Sequence, residues 1–195
     1  QENGACCLPR IASHDEEAVK RLLDSGADGI IAPMIDNVEQ VKQLVEWMRY
    51  PPLGKRSYGV NRAQNYGFDF NSYANDWNKS GILMVQIESE EGVANIESIA
   101  KMKEVDAIMM GPYDLSGRLG FPGQINHPEV QKACKTVIET CKKHEKAIGS
   151  QLVDVNKDEI CQAINHGYSF LVLSSDIFMM WRWGEHVRDT ISDYR

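Results

Sequence analysis

The sequence predicts an α/β protein in which parallel strands alternate with helices. Short apolar runs of strand length alternate with amphipathic stretches along the 195 residues. This alternation is typical of right-handed βαβ units. No internal repeat or low-complexity linker divides the chain, so a single domain over residues 1–195 is expected.

Apolar runs bounded by turn residues define the strands most clearly. The run at 82–87 reads ILMVQI and the run at 107–110 reads AIMM, as expected for strands that are buried on both faces. Six strand segments are predicted, each followed by a helix: 5–11, 29–34, 82–87, 107–110, 147–153 and 170–174. Six units are two fewer than a closed (β/α)₈ barrel contains.

Capping signals indicate where the helices begin. Ser13 and Glu16 have the spacing of a capping box, so the first helix is expected to be capped by Ser13. Asn37 is predicted to cap the second helix, which a Pro-Pro pair then ends. Two long connections, 53–70 and 115–126, are expected to be loops, and loops of this length are often functional. The other helices are predicted near 72–78, 91–102, 127–146 and 157–166, and from about residue 177 onwards.

Composition and charge exclude several classes of partner. A formal net charge of −7 and the lack of a Lys/Arg stripe argue against nucleic-acid binding. The apolar runs are too short to cross a bilayer, and the first ten residues do not resemble a signal peptide. Five cysteines without CxxC or Cys/His spacing predict reduced thiols in a cytoplasmic protein.

Two carboxylates carry the strongest functional signal. Glu88 directly follows the predicted strand 82–87, and Asp114 follows the strand 107–110 after a short turn. The carboxyl ends of neighbouring parallel strands meet at one edge of the fold, where α/β enzymes place their chemistry. Two carboxylates there can bind a hard divalent cation. Alternatively, Glu88 caps the following helix and Asp114 binds backbone amides of its own loop.

Three further features lie at the same predicted edge. Arg10 ends the first predicted strand, where it can bind planar carboxylate or enolate oxygens, or instead form an ion pair with a loop acid. The turn Gly111-Pro112-Tyr113 can bring backbone amides close to a ligand carboxylate. Gln86 is either a polar neighbour of the metal site or a satisfied amide of the core.

The sequence resembles the HpcH/HpaI aldolase family, the class II pyruvate aldolases of the phosphoenolpyruvate/pyruvate barrel superfamily. The resemblance covers nearly the whole chain. It rests on three segments in order: GADGIIAPMIDNVEQVKQLVEWMRYPPLGKRSYG at 26–59, VQIESEEGVANI at 85–96 and DAIMMGPYDLSGRLGFPGQINHPEV at 106–130. A TIM (β/α)₈-type barrel is the fold that this resemblance implies, with about six of its units in this chain.

The resemblance also implies a reaction, which is the reversible aldol cleavage of a 4-hydroxy-2-oxo acid to pyruvate and an aldehyde. Glu88 and Asp114 match the family's metal ligands, for Mg²⁺ or Mn²⁺ and with Co²⁺ also acceptable. Arg10 matches the Arg that steadies the keto and enolate oxygen. The substrate-binding positions of the family match Gln86, Gly111, Pro112 and Tyr113. Alternatives are a citryl- or malyl-CoA-type lyase on the same scaffold, and a non-catalytic paralogue that binds a 2-oxo acid or has a structural role.

The chain is expected to depart from the family in one respect. The family's first two βα units and its catalytic His have no counterpart in these residues, and His14 is a weaker candidate for a base. Family members are oligomers that pack the C-terminal helix between subunits. Trp181 and Trp183 fit this, since they cannot share one buried helical stripe and an exposed apolar surface favours a partner subunit. A homo-oligomer is therefore expected.

Overall fold

The computed structural model describes residues 4–194. Its centre is a five-stranded sheet in which every neighbouring pair is parallel and the spatial order follows the chain order. The strands are β1 (Gly29–Ala32), β2 (Ile82–Ile87), β3 (Ala107–Met110), β4 (Ala147–Leu152) and β5 (Phe170–Leu173). The described residues thus form a parallel half-barrel, and a closed barrel is not seen among them.

Helices follow the strands in the expected alternation. They are α1 (Glu16–Asp24), α2 (Val38–Met48), α3 (Phe70–Ser80), α4 (Glu90–Ala94), α5 (Ile96–Ala100), α6 (Pro112–Arg118), α7 (Pro128–Lys143), α8 (Lys157–His166) and α9 (Asp176–Thr190). Short 3₁₀ segments at Arg62–Gly67 and Ser192–Tyr194 complete the elements. None of the helices within residues 4–194 is long and apolar enough to cross a membrane.

The two faces of the sheet differ because side chains alternate along each strand. Residues of one parity, such as Leu83, Val85 and Ile108, pack against the helices in the main hydrophobic core. Residues of the other parity face the inside of the half-barrel, where Met84 and Met109 form a small second cluster. Gln86 and Glu88 have the same parity as Met84, so this alternation places them towards the inside.

The segment predicted as the first strand is the main difference from the expected architecture. Residues 5–11 run beside β1 and exchange backbone hydrogen bonds with it, but Arg10 and Ile31 form only an isolated parallel bridge. Pro9 has no N–H to donate, and a proline interrupts the hydrogen-bond ladder of a strand. Five of the six predicted strands are therefore confirmed, and the sixth is an extended segment along the sheet edge.

Two predicted helix boundaries were also wrong. The cap of α1 is Asp15, whose carboxylate accepts from the N–H of Ala18 at 2.8 Å, while the Ser13 hydroxyl donates to Asp15. The expected helix over 91–102 is divided at Asn95, whose side-chain amide donates to the carbonyl of Asp36 at 2.8 Å. The expected loop 115–126 begins inside α6.

The long connection at 53–70 is held by one buried side chain. Arg56 has no exposed surface on its side chain, and its guanidinium donates to the Asp24 carboxylate on α1 at 3.0 Å. The same guanidinium lies 4.8 Å from the centroid of the Tyr50 ring and 4.7 Å from that of Trp77. A cation enclosed by aromatic rings and a carboxylate fixes the start of this connection against α1 and α3.

Candidate active site

Glu88 lies at the carboxyl end of β2 and is nearly inaccessible to solvent, with 2% of its surface exposed. Its Oε2 accepts from the backbone N–H of Met34 at 3.0 Å, which ties the carboxylate to the loop after β1. The alternative role as a helix cap is wrong. Ser89 caps α4 instead, since its hydroxyl accepts from the N–H of Gly92 at 3.0 Å.

The pKa of Glu88 is raised above its ordinary value. Burial is the largest cause, because an ionised carboxylate loses hydration there, and the negative charge of Asp114 together with a hydrogen bond between the two side chains raises it further. The Met34 N–H and the positive charge of Arg10 act in the opposite direction. The structure therefore brings Glu88, Asp114 and Arg10 into one electrostatic neighbourhood.

Asp114 reaches this neighbourhood from the next strand. It lies in the first turn of α6, which begins just after β3, and not in a loop as its alternative role requires. The register of β2 against β3 pairs Gln86 with Met109 and Ile87 with Met110, so the residues that follow each strand emerge side by side. Glu88 and Asp114 converge for this reason.

Gly111 lets the Glu88 carboxylate approach the backbone closely. A Cβ at position 111 would lie 2.5 Å from Oε1 and 2.6 Å from Cγ of Glu88, which is closer than side chains tolerate. The N–H of Gly111 donates to the Ile87 carbonyl at 3.1 Å, and Pro112 has no N–H. The N–H groups of this turn that have no partner within the helix are therefore those of Tyr113 and Asp114, in the first turn of α6.

Gln86 is buried at 8% exposure, and its Oε1 has no hydrogen-bond partner among the described residues. A buried acceptor without a partner costs free energy, so it marks a place where a ligand or a water belongs. Gln86 also lines a cavity of about 490 Å³ together with Asp114 and Tyr113. The interpretation of Gln86 as a satisfied core amide is therefore wrong.

Arg10 is exposed and lies on the extended segment beside β1. Within residues 4–194 it forms no ion pair, so nothing in the described part of the chain supports its alternative role as the partner of a loop acid. His14 is less available, since its Nε2 lies 2.6 Å from the Pro33 carbonyl oxygen and must donate to it. That nitrogen cannot act as a base while this bond persists.

Several residues lining the same cavity were not predicted as site residues, among them Gln151, Asp154, Trp181 and Arg182. Gln151 and Asp154 follow the pattern that identified Glu88, because they lie at and just after the carboxyl end of β4. Trp181 and Arg182 come from α9, whose position over the strand ends is not encoded in any local motif. A systematic search of the last residues of every predicted strand and of the residues just after it finds the first pair but not the second.

The donor set suits a hard divalent cation. Among residues 4–194 no group of three or more His, Cys, Asp or Glu side chains is arranged to hold a metal, so Glu88 and Asp114 stand as a pair. A divalent cation between two carboxylates removes the repulsion that raises the pKa of Glu88, and Mg²⁺ commonly binds to one or two carboxylates with water and substrate oxygens as its other ligands. The residues present therefore fit such an ion.

A parallel half-barrel with the buried carboxylate Glu88 and the exposed carboxylate Asp114 just after the carboxyl ends of neighbouring strands is typical of the TIM-barrel class of fold. The family model for HpcH/HpaI aldolase/citrate lyase matches residues 4–181. The chain belongs to this family.

Named relatives and solved structures agree with this membership. The chain is 35% identical over 181 residues to a 2-dehydro-3,6-dideoxy-6-sulfogluconate aldolase of Pseudomonas putida, covering 92% of this chain and 70% of that protein. It is 35% identical over 172 residues to a 2-keto-3-deoxy-L-rhamnonate aldolase of Salmonella gallinarum, covering 87% of this chain and 63% of that protein. The crystal structure of a family protein from Burkholderia cenocepacia has a TM-score of 0.86 at 29% identity, covering 93% of this chain and 72% of that one. The chain thus spans 63–70% of the length of these two curated relatives.

Proposed function

We propose that the protein is a divalent-metal-dependent aldolase that cleaves a 4-hydroxy-2-oxo acid to pyruvate and an aldehyde, and that it catalyses the reverse reaction. The observation that carries this proposal is the convergence of Glu88 and Asp114 at the carboxyl ends of β2 and β3. The relatives are named as aldolases of 2-keto-3-deoxy sugar acids and of a sulfonated analogue, and such acids belong to this substrate class.

Glu88 and Asp114 would hold the ion, which is Mg²⁺ or Mn²⁺, with Co²⁺ also accepted by such ligands. When bound, the ion supplies Lewis-acid stabilisation of negative charge on the substrate oxygens. Glu88 is suited to this role because the Met34 N–H and the close contact with Gly111 fix its carboxylate in one position. A preorganised ligand does not have to be reoriented during the reaction.

The other residues bind and orient the keto acid. Arg10 would donate to the keto oxygen, and its positive charge would stabilise the enolate that forms when the carbon–carbon bond breaks. The amides of Tyr113 and Asp114 would hold the carboxylate in the turn after Gly111 and Pro112. The unpartnered Oε1 of Gln86 would accept from a donor of the bound substrate or from a water beside the ion.

The assembly proposed here is a homo-oligomer formed through α9. No described side chain of α9 is buried, and Ile177, Met180 and Trp183 are each more than half exposed. A row of large apolar side chains on one helix is unfavourable in water unless another protein surface covers it. The other partners of the proposed function are small molecules, namely the 2-oxo acid and the aldehyde.

Pyruvate release tests the proposal. The purified protein is supplied with 2-keto-3-deoxy-L-rhamnonate and Mn²⁺ or Mg²⁺, and pyruvate is measured with a coupled dehydrogenase. We expect turnover that EDTA abolishes and that Glu88→Ala lowers by about 10³-fold or more, since it removes one ligand of the proposed ion.

Glu90→Ala is the matched control, because Glu90 is an exposed carboxylate two residues away. Its turnover should stay close to that of the unsubstituted protein. Metal binding without any release of pyruvate would instead identify a non-catalytic member of the family.

A further inference from the structure

The cavity at the proposed site extends well beyond the residues assigned to pyruvate. Its volume is about 490 Å³, and it runs from Gln86 and Asp114 at one end to Asp154 and Arg182 at the other. A three-carbon acid fills only a small part of such a space, since cavities of this size hold whole drug-sized ligands. The far end is therefore available for the rest of the substrate.

The positive charge of Arg182 is already paired with carboxylates at this far end. Its Nε and Nη2 donate to the two carboxylate oxygens of Asp154, both at 2.6 Å, and its Nη1 donates to Glu185 at 2.8 Å. These hydrogen bonds raise the pKa of Arg182, and its guanidinium also lies 4.7 Å from the centroid of the Trp181 ring. One cation balanced by two carboxylates leaves a net negative charge in this group.

No other cation among the described residues that line the cavity compensates for this negative charge. Among the described residues that line the cavity, the charged side chains are Asp114, Asp154 and Arg182. A divalent ion held by Glu88 and Asp114 would be engaged with the keto acid and not with this end of the substrate. A second anionic group on the substrate would therefore meet Asp154 without a free positive partner among these residues, and like charges repel even where partial exposure weakens the repulsion.

Gln151 presents an acceptor in the same part of the cavity. Its Nε2 donates to the Ser174 carbonyl oxygen at 3.2 Å, and since a carbonyl can only accept, this contact fixes which end of the amide is the nitrogen. The Oε1 atom is then the end that remains for a ligand. The carboxylate oxygens of Asp154 can also accept further hydrogen bonds, so both side chains favour hydroxyl donors.

We propose that the far end of the site selects a neutral, hydroxylated aldehyde portion and discriminates against a second anionic group. Gln151 and Asp154 determine this specificity by accepting from substrate hydroxyls, and the Asp154–Arg182 pair keeps the guanidinium away from anions. This inference rests on the proposed aldolase function and adds the class of its substrate.

Two substrates that differ in a single substituent, a sulfonate or a hydrogen, test the inference. The anionic member is 2-dehydro-3,6-dideoxy-6-sulfogluconate, and the neutral member is the same acid with hydrogen in place of the sulfonate, measured beside 2-keto-3-deoxy-L-rhamnonate. We expect kcat/KM for the neutral acids to exceed that for the sulfonate by at least about tenfold. An equal or higher value for the sulfonate would overturn the inference and leave the aldolase function intact.

Substitutions on the chain make the test specific. Asp154→Asn removes one of the two carboxylates that pair with Arg182 and should lower the neutral-to-anionic ratio of kcat/KM by about tenfold. Asp189→Asn removes a carboxylate from an exposed ion pair elsewhere on α9 and should leave that ratio unchanged. Gln151→Leu should lower kcat/KM for the hydroxylated acids by about tenfold. An unchanged ratio in Asp154→Asn together with unchanged kinetics in Gln151→Leu would contradict the proposal.

Exchange of the pyruvate methyl protons with deuterium oxide distinguishes a failure of the proposed aldolase function from a failure of the proposed specificity. This reaction needs only the pyruvate end of the site, so we expect the unsubstituted protein to catalyse it whatever the ratio of kcat/KM for the neutral and anionic substrates. If neither exchange nor cleavage occurs in the unsubstituted protein, the proposed aldolase function is wrong, and the inferred substrate specificity is then wrong as well.

Discussion

The two ends of the sheet consist of similar strands but differ in how they are covered. In the covered region, β1 to β3 with their helices, all of β3 and all but the first residue of β2 are buried. In the open region, β5 with α9, no residue of either element is buried. The covered region holds Glu88 and Asp114 in a rigid frame, whereas the open region carries the residues to which we assign substrate selection.

Two arginines show the difference most directly. Arg56 and Arg182 each pair with a carboxylate and each lie over an aromatic ring. The side chain of Arg56 is fully buried, whereas 43% of the Arg182 side chain is exposed. The same contacts therefore stabilise the fold in the covered region, and water screens them in the open region.

Replacing each arginine by methionine should produce the largest contrast. Arg56→Met leaves the Asp24 carboxylate buried with only Lys20 as a partner, so we expect a loss of about 3–5 kcal/mol in the free energy of unfolding. Arg182→Met should leave this free energy unchanged within error. Urea titrations followed by circular dichroism measure both values. Equal losses for the two variants would show that the open region is as tightly packed as the covered one.

Two leucines on strands sharpen the comparison. Leu83 in β2 is fully buried, whereas Leu173 in β5 is 51% exposed. Leu83→Ala should cost about 2–5 kcal/mol through lost burial and a cavity, and Leu173→Ala should cost less than about 1 kcal/mol. The same urea titrations report both, and a large effect of Leu173→Ala at high protein concentration alone would reveal a partner surface on β5.

A third pair of substitutions tests the proposed metal site itself. Gly111→Ala would push a methyl group against the Glu88 carboxylate, so we expect Mn²⁺ affinity to fall by about 10–100-fold while the protein stays folded. Gly117→Ala on the same helix α6 meets no atom within 4 Å and should bind Mn²⁺ normally. Calorimetric titration measures both affinities. Normal binding by Gly111→Ala would mean that the position of Glu88 is not set by this contact.

The smallest expected effect lies on the outer surface of the covered region. Hydrogen bonds from Lys143, Lys101 and His144 lower the pKa of Glu97 from 4.5 to about 2. A carboxylate with a lowered pKa in the folded state contributes stability above pH 4.5 and loses this contribution as the pH falls towards 2. Glu97→Gln should therefore unfold at a lower temperature than the unsubstituted protein at pH 7, and this gap should close across the acid range. A difference in unfolding temperature that stays constant between pH 7 and the acid range would contradict the lowered pKa of Glu97.

The pattern of apolar and polar residues in the sequence is sufficient to predict most of the strands and site residues of the covered region. Strands such as 82–87 and 107–110 are predicted to the residue, because continuous apolar runs specify strands that are buried on both faces. Glu88 and Asp114 could be singled out for the same reason, since the end of a parallel strand is a defined place in the fold. The cap Asn37 is also confirmed, with its capping box to Gln40.

What the sequence does not predict depends on contacts between distant segments or on a choice between neighbouring residues of similar chemistry. Residues 5–11 have the composition of a strand, yet only backbone pairing shows that they make a single bridge with β1. Ser13 and Asp15 both suit the cap of α1, and the competition is decided by local geometry. Arg182 reaches the site because α9 returns to the segment after β4, where Arg182 pairs with Asp154, and no local pattern encodes this return.

The central claim is that Glu88 and Asp114 form a site for one divalent cation, and Mn²⁺ binding to the purified protein tests it most directly. Electron paramagnetic resonance and calorimetric titration should give one Mn²⁺ per chain, with affinity reduced at least about 100-fold in both Glu88→Ala and Asp114→Ala and retained in Glu90→Ala. Unchanged affinity in the first two variants would contradict the account, because the ion would then be held elsewhere in the molecule.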